Sequence, residues 1–146
     1  MVFIQDNEGI LNAPLDKVWK LVKAHFTDAS KIHVNAKDVK TEQLSETTFI
    51  NTWLQEIEGQ LIEFEMKATL FYPLGVAFEV LEGPFIGSKY FVYYVPIPNE
   101  DNITKVVAVG DFKSAYVDND DKLKELVLNN FESVFAEDVT YLQNIQ

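Results

Sequence analysis

The chain contains no cysteine and no arginine. The first absence removes disulfides, thiolate metal ligands and thiol nucleophiles together. The second leaves lysine as the only strong base. Lysine is a point charge rather than a planar fork, so a two-pronged grip on phosphate or carboxylate is missing. Positive charge is scarce altogether: 12 basic side chains against 23 acidic ones give a formal net charge of −11. Phosphate backbones and anionic lipid headgroups are attracted by clustered Lys and Arg, so neither nucleic-acid binding nor stable membrane insertion is expected. No run approaches the 18 or so apolar residues of a membrane helix. Asp6 and Glu8 occupy the region where a secretory signal needs a basic start and an apolar core. These features lead to the expectation of a soluble cytoplasmic protein.

What is present is ordinary globular material, with 47% hydrophobic and 24% charged residues in 146. That length suits a single domain spanning 1–146, large enough to bury nearly 70% of the surface its unfolded chain exposes. The segment 118–146 dominates the pattern. Asp118, Asn119, Asp120 and Asp121 offer oxygens and negative charge to the start of a helix. At about 100° per residue, Leu123, Val127, Leu128, Phe131, Val134, Phe135, Val139, Tyr141, Leu142 and Ile145 fall within about 80° of Phe131. One broad apolar face must therefore lie on something large.

The rest of the chain supplies that surface. Residues 2–11 read as a strand, and Pro14 opens a helix carrying Leu15, Val18, Trp19 and Val22 that ends near His25. Residues 28–32 make a further short turn, with Thr27 as its expected cap. Beyond Val39, β-branched and aromatic residues alternate with polar ones, which predicts strands at 37–44, 48–57, 60–71, 76–81, 89–95 and 103–112. Only hairpin-length breaks separate them. In the third of these, Ile62, Phe64, Met66, Ala68, Leu70 and Tyr72 share one face, while Glu63, Glu65, Lys67 and Thr69 share the other.

One strand, two helices, six more strands and a long closing helix is an order that resembles the START-like, or SRPBCC, helix-grip proteins. The resemblance covers the whole chain and is strongest at Ala13-Pro14-Leu15-Asp16-Lys17-Val18-Trp19 and in the closing helix. The plant allergen-like branch of that superfamily carries a glycine-rich loop between its second and third strands, which here reads Leu44-Ser45-Glu46-Thr47-Thr48. The resemblance implies an α+β fold with a seven-stranded curved antiparallel sheet wrapped around the long C-terminal helix. Two short helices would join the first and second strands. It also implies an apolar cavity between sheet and helix for a lipid, polyketide, sterol or quinone. Binding or transport of a small, mostly neutral hydrophobic ligand is the leading expectation. A polyketide cyclase or dehydratase-like enzyme, or a protein-interaction module, is the alternative.

Candidate ligand-contacting residues follow from the two facing layers: Trp53, Phe64, Met66, Leu70, Phe78 and Tyr94 from the sheet, with Phe131, Phe135, Asp138 and Leu142 from the helix. Trp53, flanked by Asn51 and Gln55, suits a pocket wall or a partly exposed strand equally. His25 reads as a helix-end residue favoured by the dipole, and His33 as an exposed connector side chain. Neither has a nucleophile or a carboxylate at a catalytic spacing, so no catalytic set is named. With no His-x-x-x-His or Glu-x-x-His pattern, neither metal nor organic cofactor is expected. Asp138 falls about 20° from the centre of the closing helix's apolar face. Burying it ionised and alone would cost several kcal/mol, so it must either reach solvent at the rim or find a donor, water or ligand.

Overall fold

The computed structural model describes residues 2–145. The strands are β1 (Val2–Leu11), β2 (Lys37–Gln43), β3 (Thr48–Ile57), β4 (Gln60–Phe71), β5 (Gly75–Glu82), β6 (Lys89–Ile97) and β7 (Glu100–Phe112). The helices are α1 (Leu15–Ala24), α2 (Ala29–Ile32) and α3 (Asp120–Asn144). All seven strands form one sheet in the order β1-β7-β6-β5-β4-β3-β2, and every pairing is antiparallel. Because β1 and β2 occupy opposite edges, the stretch holding α1 and α2 has to cross from one edge to the other.

Local chemistry sets the boundaries. Glu58 and Gly59 both take positive φ, the geometry of a two-residue hairpin turn whose twist matches the strands it joins. β6 runs through Pro96 to Ile97, beyond the expected end at Val95. Its register shifts between those two residues, where a missing N–H is tolerated. β7 starts earlier than expected, at Glu100, and β5 gains Gly75 and Glu82. Gly75 cannot carry a Cβ, because the backbone of Val92 lies against it. The anticipated cap at Thr27 is not made. Asp28 holds the N-cap position without a side-chain cap bond, and Thr27 Oγ1 instead donates back to the Lys23 carbonyl at 3.5 Å. α3 begins at Asp120, two residues later than Asp118, because Asn119 Oδ1 accepts from the Lys122 N–H at 2.9 Å.

Three apolar clusters join the layers. Ile4, Phe112, Leu123 and Val127 pin the first half of α3 to β1 and β7. Leu11, Ala13, Val18, Leu21, Ala24, Ile32 and Leu142 gather β1, α1, α2 and the end of α3. Trp19, Val22, Ala68 and Val76 seat α1 on the middle of the sheet. Among the described residues, the buried polar side chains of Thr104 and Ser88 are both satisfied. Thr104 Oγ1 donates to the Ala13 carbonyl at 2.8 Å, and Ser88 Oγ accepts from the Lys113 N–H at 2.9 Å.

α3 packs chiefly on β1, α1 and α2. The inner face of β4 and β5 is met by Trp19 and Val22 of α1, and Phe49 of β3 by Phe26. Cross-strand partners share a face, so Phe49, Asn51 and Trp53 of β3 stand beside Ala68, Met66 and Phe64 of β4. Phe78 stands beside Ala68 in turn. Of these side chains only Ala68 is buried, and the others remain half-buried. The inner face of β3, β4 and β5 thus carries a layer of aromatic and thioether side chains.

Candidate functional site

On the inner sheet face the aromatic side chains contact one another and α3. Trp53 and Phe64 stack, with ring centroids 5.3 Å apart. Deeper along the sheet, Phe78 stacks on Tyr90 at 5.0 Å, and Tyr90 meets Phe131 of α3 at 5.6 Å. The Tyr90 hydroxyl donates to Met66 Sδ at 3.7 Å, a weak bond that orients a flexible side chain. Sheet and helix thus touch through Tyr90 and Phe131.

Other expected contributors sit elsewhere. Leu142 is only 5% exposed, within the cluster that joins α3 to α1, where its side chain serves the core. Phe135 and Tyr94 pack against that same cluster, and Leu70 packs beside Trp19 and Val22. Tyr94 also meets Trp19 edge-on at 5.9 Å. Burial pushes the phenols of Tyr90 and Tyr94 well above their ordinary pKa, and the Asp138 charge adds to the effect at Tyr94. A depression of about 420 Å³ lies on the outer sheet face, among Lys67, Thr69, Glu79, Lys89 and Phe91. Another of about 330 Å³ lies beside Asn35, Lys37 and Gln55. Both lie outside the expected space between the inner sheet face and α3.

The groups that sequence reading missed lie where α1, α2 and α3 converge. His25 occupies the C-cap of α1, and His33 the C-cap of α2. They are not merely a helix end and an exposed connector. His25 Nε2 is 3.1 Å from His33 Nε2 and 3.2 Å from Asp138 Oδ1, and His33 Nε2 is 3.6 Å from the same oxygen. The side chains of His25, His33 and Asp138 are 24%, 22% and 19% exposed, so the cluster is sheltered without being sealed. Asn51 on the inner sheet face donates to the His25 carbonyl at 2.9 Å, and Phe26 stacks on Phe49 at 4.6 Å. These contacts tether the end of α1 to the inner sheet face.

The electrostatics of the pair are unequal. Burial pulls the His25 pKa down, but the Asp138 charge and hydrogen bond, with the Leu21 and Val22 carbonyls, outweigh it and leave the pKa raised. For His33, burial and the nearby His25 charge prevail over Asp138 and Glu137, and the pKa is lowered. Asp138 is thus neither a bare rim residue nor an unpaired core charge. It finds its partners in two imidazoles, which are chemically able to share one proton or to hold a cation.

No family model and no curated protein matches the chain. Solved structures do. A START superfamily protein from Mycobacterium smegmatis superposes with a TM-score of 0.77 at 12% identity, covering 99% of each chain. Ara h 8.0201 gives 0.76 at 10% identity, again over 99% of both chains. The Zhui aromatase/cyclase from Streptomyces sp. R1128 gives 0.70 at 14% identity, over 97% of this chain and 90% of that one. The chain has the helix-grip fold. At these identities the likeness extends to architecture, and the helix-grip frame accounts for the strand order, the crossing helices and the position of α3.

Proposed function

We propose that the protein binds a small, largely neutral hydrophobic molecule in a groove between the inner sheet face and α3. The observation that carries this reading is the apolar layer of Phe49, Trp53, Phe64, Met66 and Phe78 on the inner sheet face, whose side chains stay half-buried. Aromatic and thioether side chains are costly to leave wet, at about 25 cal/mol per Å² of apolar surface, and a flat apolar guest would remove that cost. Lysine as the only strong base and a net charge of −11 favour a neutral guest over an anionic one. Proteins of the same architecture include an aromatase/cyclase and a START superfamily member, which supports a ligand-handling role.

A second reading is an enzyme of the polyketide cyclase or dehydratase kind. It draws on His25, His33 and Asp138 meeting beside the inner sheet face, where one acid or base and correct positioning can suffice.

Titration calorimetry with a long-chain alcohol and the matching acyl phosphate tests the binding reading. The alcohol is expected to bind more tightly, and Met66→Glu to weaken it at least tenfold without loss of cooperative melting. Tighter binding of the phosphate, or unchanged binding by the variant, would overturn the reading. A probe recovered chemically altered after titration would select the enzyme.

A further inference from the structure

The orientation of the two imidazoles carries information beyond their proximity. His25 Nδ1 lies 2.9 Å from the Leu21 carbonyl oxygen, which can only accept. The ring proton belongs on Nδ1, and Nε2 is left with its lone pair. His33 Nδ1 lies 3.3 Å from Glu137 Oε2, a buried oxygen without an aligned hydrogen-bond partner among the described residues. A proton on His33 Nδ1 would face that carboxylate, which in the neutral ring leaves the lone pair on His33 Nε2.

The consequence is three electron-rich atoms facing one another. His25 Nε2, His33 Nε2 and Asp138 Oδ1 form a triangle with edges of 3.1, 3.2 and 3.6 Å. Such atoms repel unless a cation lies among them. A proton on His25 Nε2 bridges two of the edges and leaves the one between His33 and Asp138 uncompensated. A metal ion compensates all three. An ion about 2.0–2.1 Å from each donor needs donor separations of about 3.3–3.4 Å in a tetrahedral site. The observed edges straddle that span, so the ligands are set for an ion with little rearrangement.

We infer that His25, His33 and Asp138 together bind one divalent transition-metal ion of the zinc class. The Leu21 carbonyl holds the His25 imidazole in the ligating orientation through Nδ1, and the Glu137 carboxylate lies 3.3 Å from His33 Nδ1; carbonyls and carboxylates are the groups that usually support histidine ligands. Two nitrogen donors favour zinc, cobalt, nickel or ferrous iron over calcium and magnesium, which take oxygen ligands. Three protein ligands leave a position for water or a ligand oxygen, and the partial exposure of all three side chains gives it an approach from solvent. The inference does not depend on the groove binding a hydrophobic guest. The two claims fail separately.

The test uses the full chain, stripped with a chelator and dialysed. Competition against a chromophoric chelator is expected to give one equivalent of tightly bound Zn²⁺, undisturbed by excess Ca²⁺. Glu137→Gln should weaken it about 10–100-fold, and His33→Gln or Asp138→Asn should weaken it further. Glu63→Gln, on the wet sheet face, should leave it unchanged. Imidazole nitrogen NMR of the unaltered protein provides a readout that no variant's misfolding can confuse: Zn²⁺ should shift Nε2 of His25 and His33 and spare their Nδ1. Binding no tighter than that of scattered surface carboxylates, or zinc-induced shifts absent from both Nε2 atoms, would overturn the assignment.

Discussion

Tyr90 links the sheet to the helix through one ring. It lies 5.0 Å from Phe78, 5.1 Å from Phe112 and 5.6 Å from Phe131, and its burial raises the phenol pKa well above 10. A raised acid constant has a definite sign for stability. Below pH about 10 the phenol is neutral in both folded and unfolded chains, and its contribution is fully present. As pH climbs from there toward the folded value, the unfolded chain releases the proton and the folded one does not, so stability falls. The slope from this one group is about 1.4 kcal/mol per pH unit. Tyr90→Phe should therefore melt close to the parent protein at pH 7 and lose less stability between pH 10 and 11, as read by urea denaturation at each pH. Parallel losses in the two proteins would mean that the hydroxyl is not held neutral. At this scale the sequence was only half legible. Alternation could place Phe64, Met66 and Leu70 on one face, because side-chain direction along a strand is a local property. It could not bring His25 and Asp138 together, since 113 positions separate them and no spacing rule describes that contact.

Among the elements, α3 shows why some boundaries were readable and others were not. Its start is a chemical event: Asn119 Oδ1 accepts from the Lys122 N–H at 2.9 Å, with Asp120 and Asp121 in the first turn beside the positive end of the dipole. Four polar residues in a row announced that start, though not which of them would be the cap. Asn119→Ala should cost about 1 kcal/mol in urea denaturation, whereas Asp118→Ala should cost little. Equal losses at both positions would show that charge near the helix end, rather than the cap bond, secures it. The strand ends drifted for a different reason. β6 passes through Pro96 and β7 reaches back to Glu100, because pairing with a neighbour, which no local pattern encodes, decides where a strand stops.

In the whole molecule, the order of elements determined more than any motif. A strand, a crossing pair of helices, a six-strand meander and a closing helix leave few ways to cover one apolar sheet face, and the antiparallel order with β1 and β2 at opposite edges is the one adopted. What the order did not convey was coverage. α3 packs chiefly on β1, α1 and α2, and Trp53, Phe64 and Met66 stay half-buried. That partial exposure is the physical basis for proposing a guest on this face. The most direct check is native mass spectrometry of the protein purified from its own host under non-denaturing conditions. The account predicts a stoichiometric adduct, released by organic solvent and identified as a neutral hydrophobic molecule, that is lost from Met66→Glu; a protein that emerges bare and takes up no neutral hydrophobic probe on incubation would contradict it.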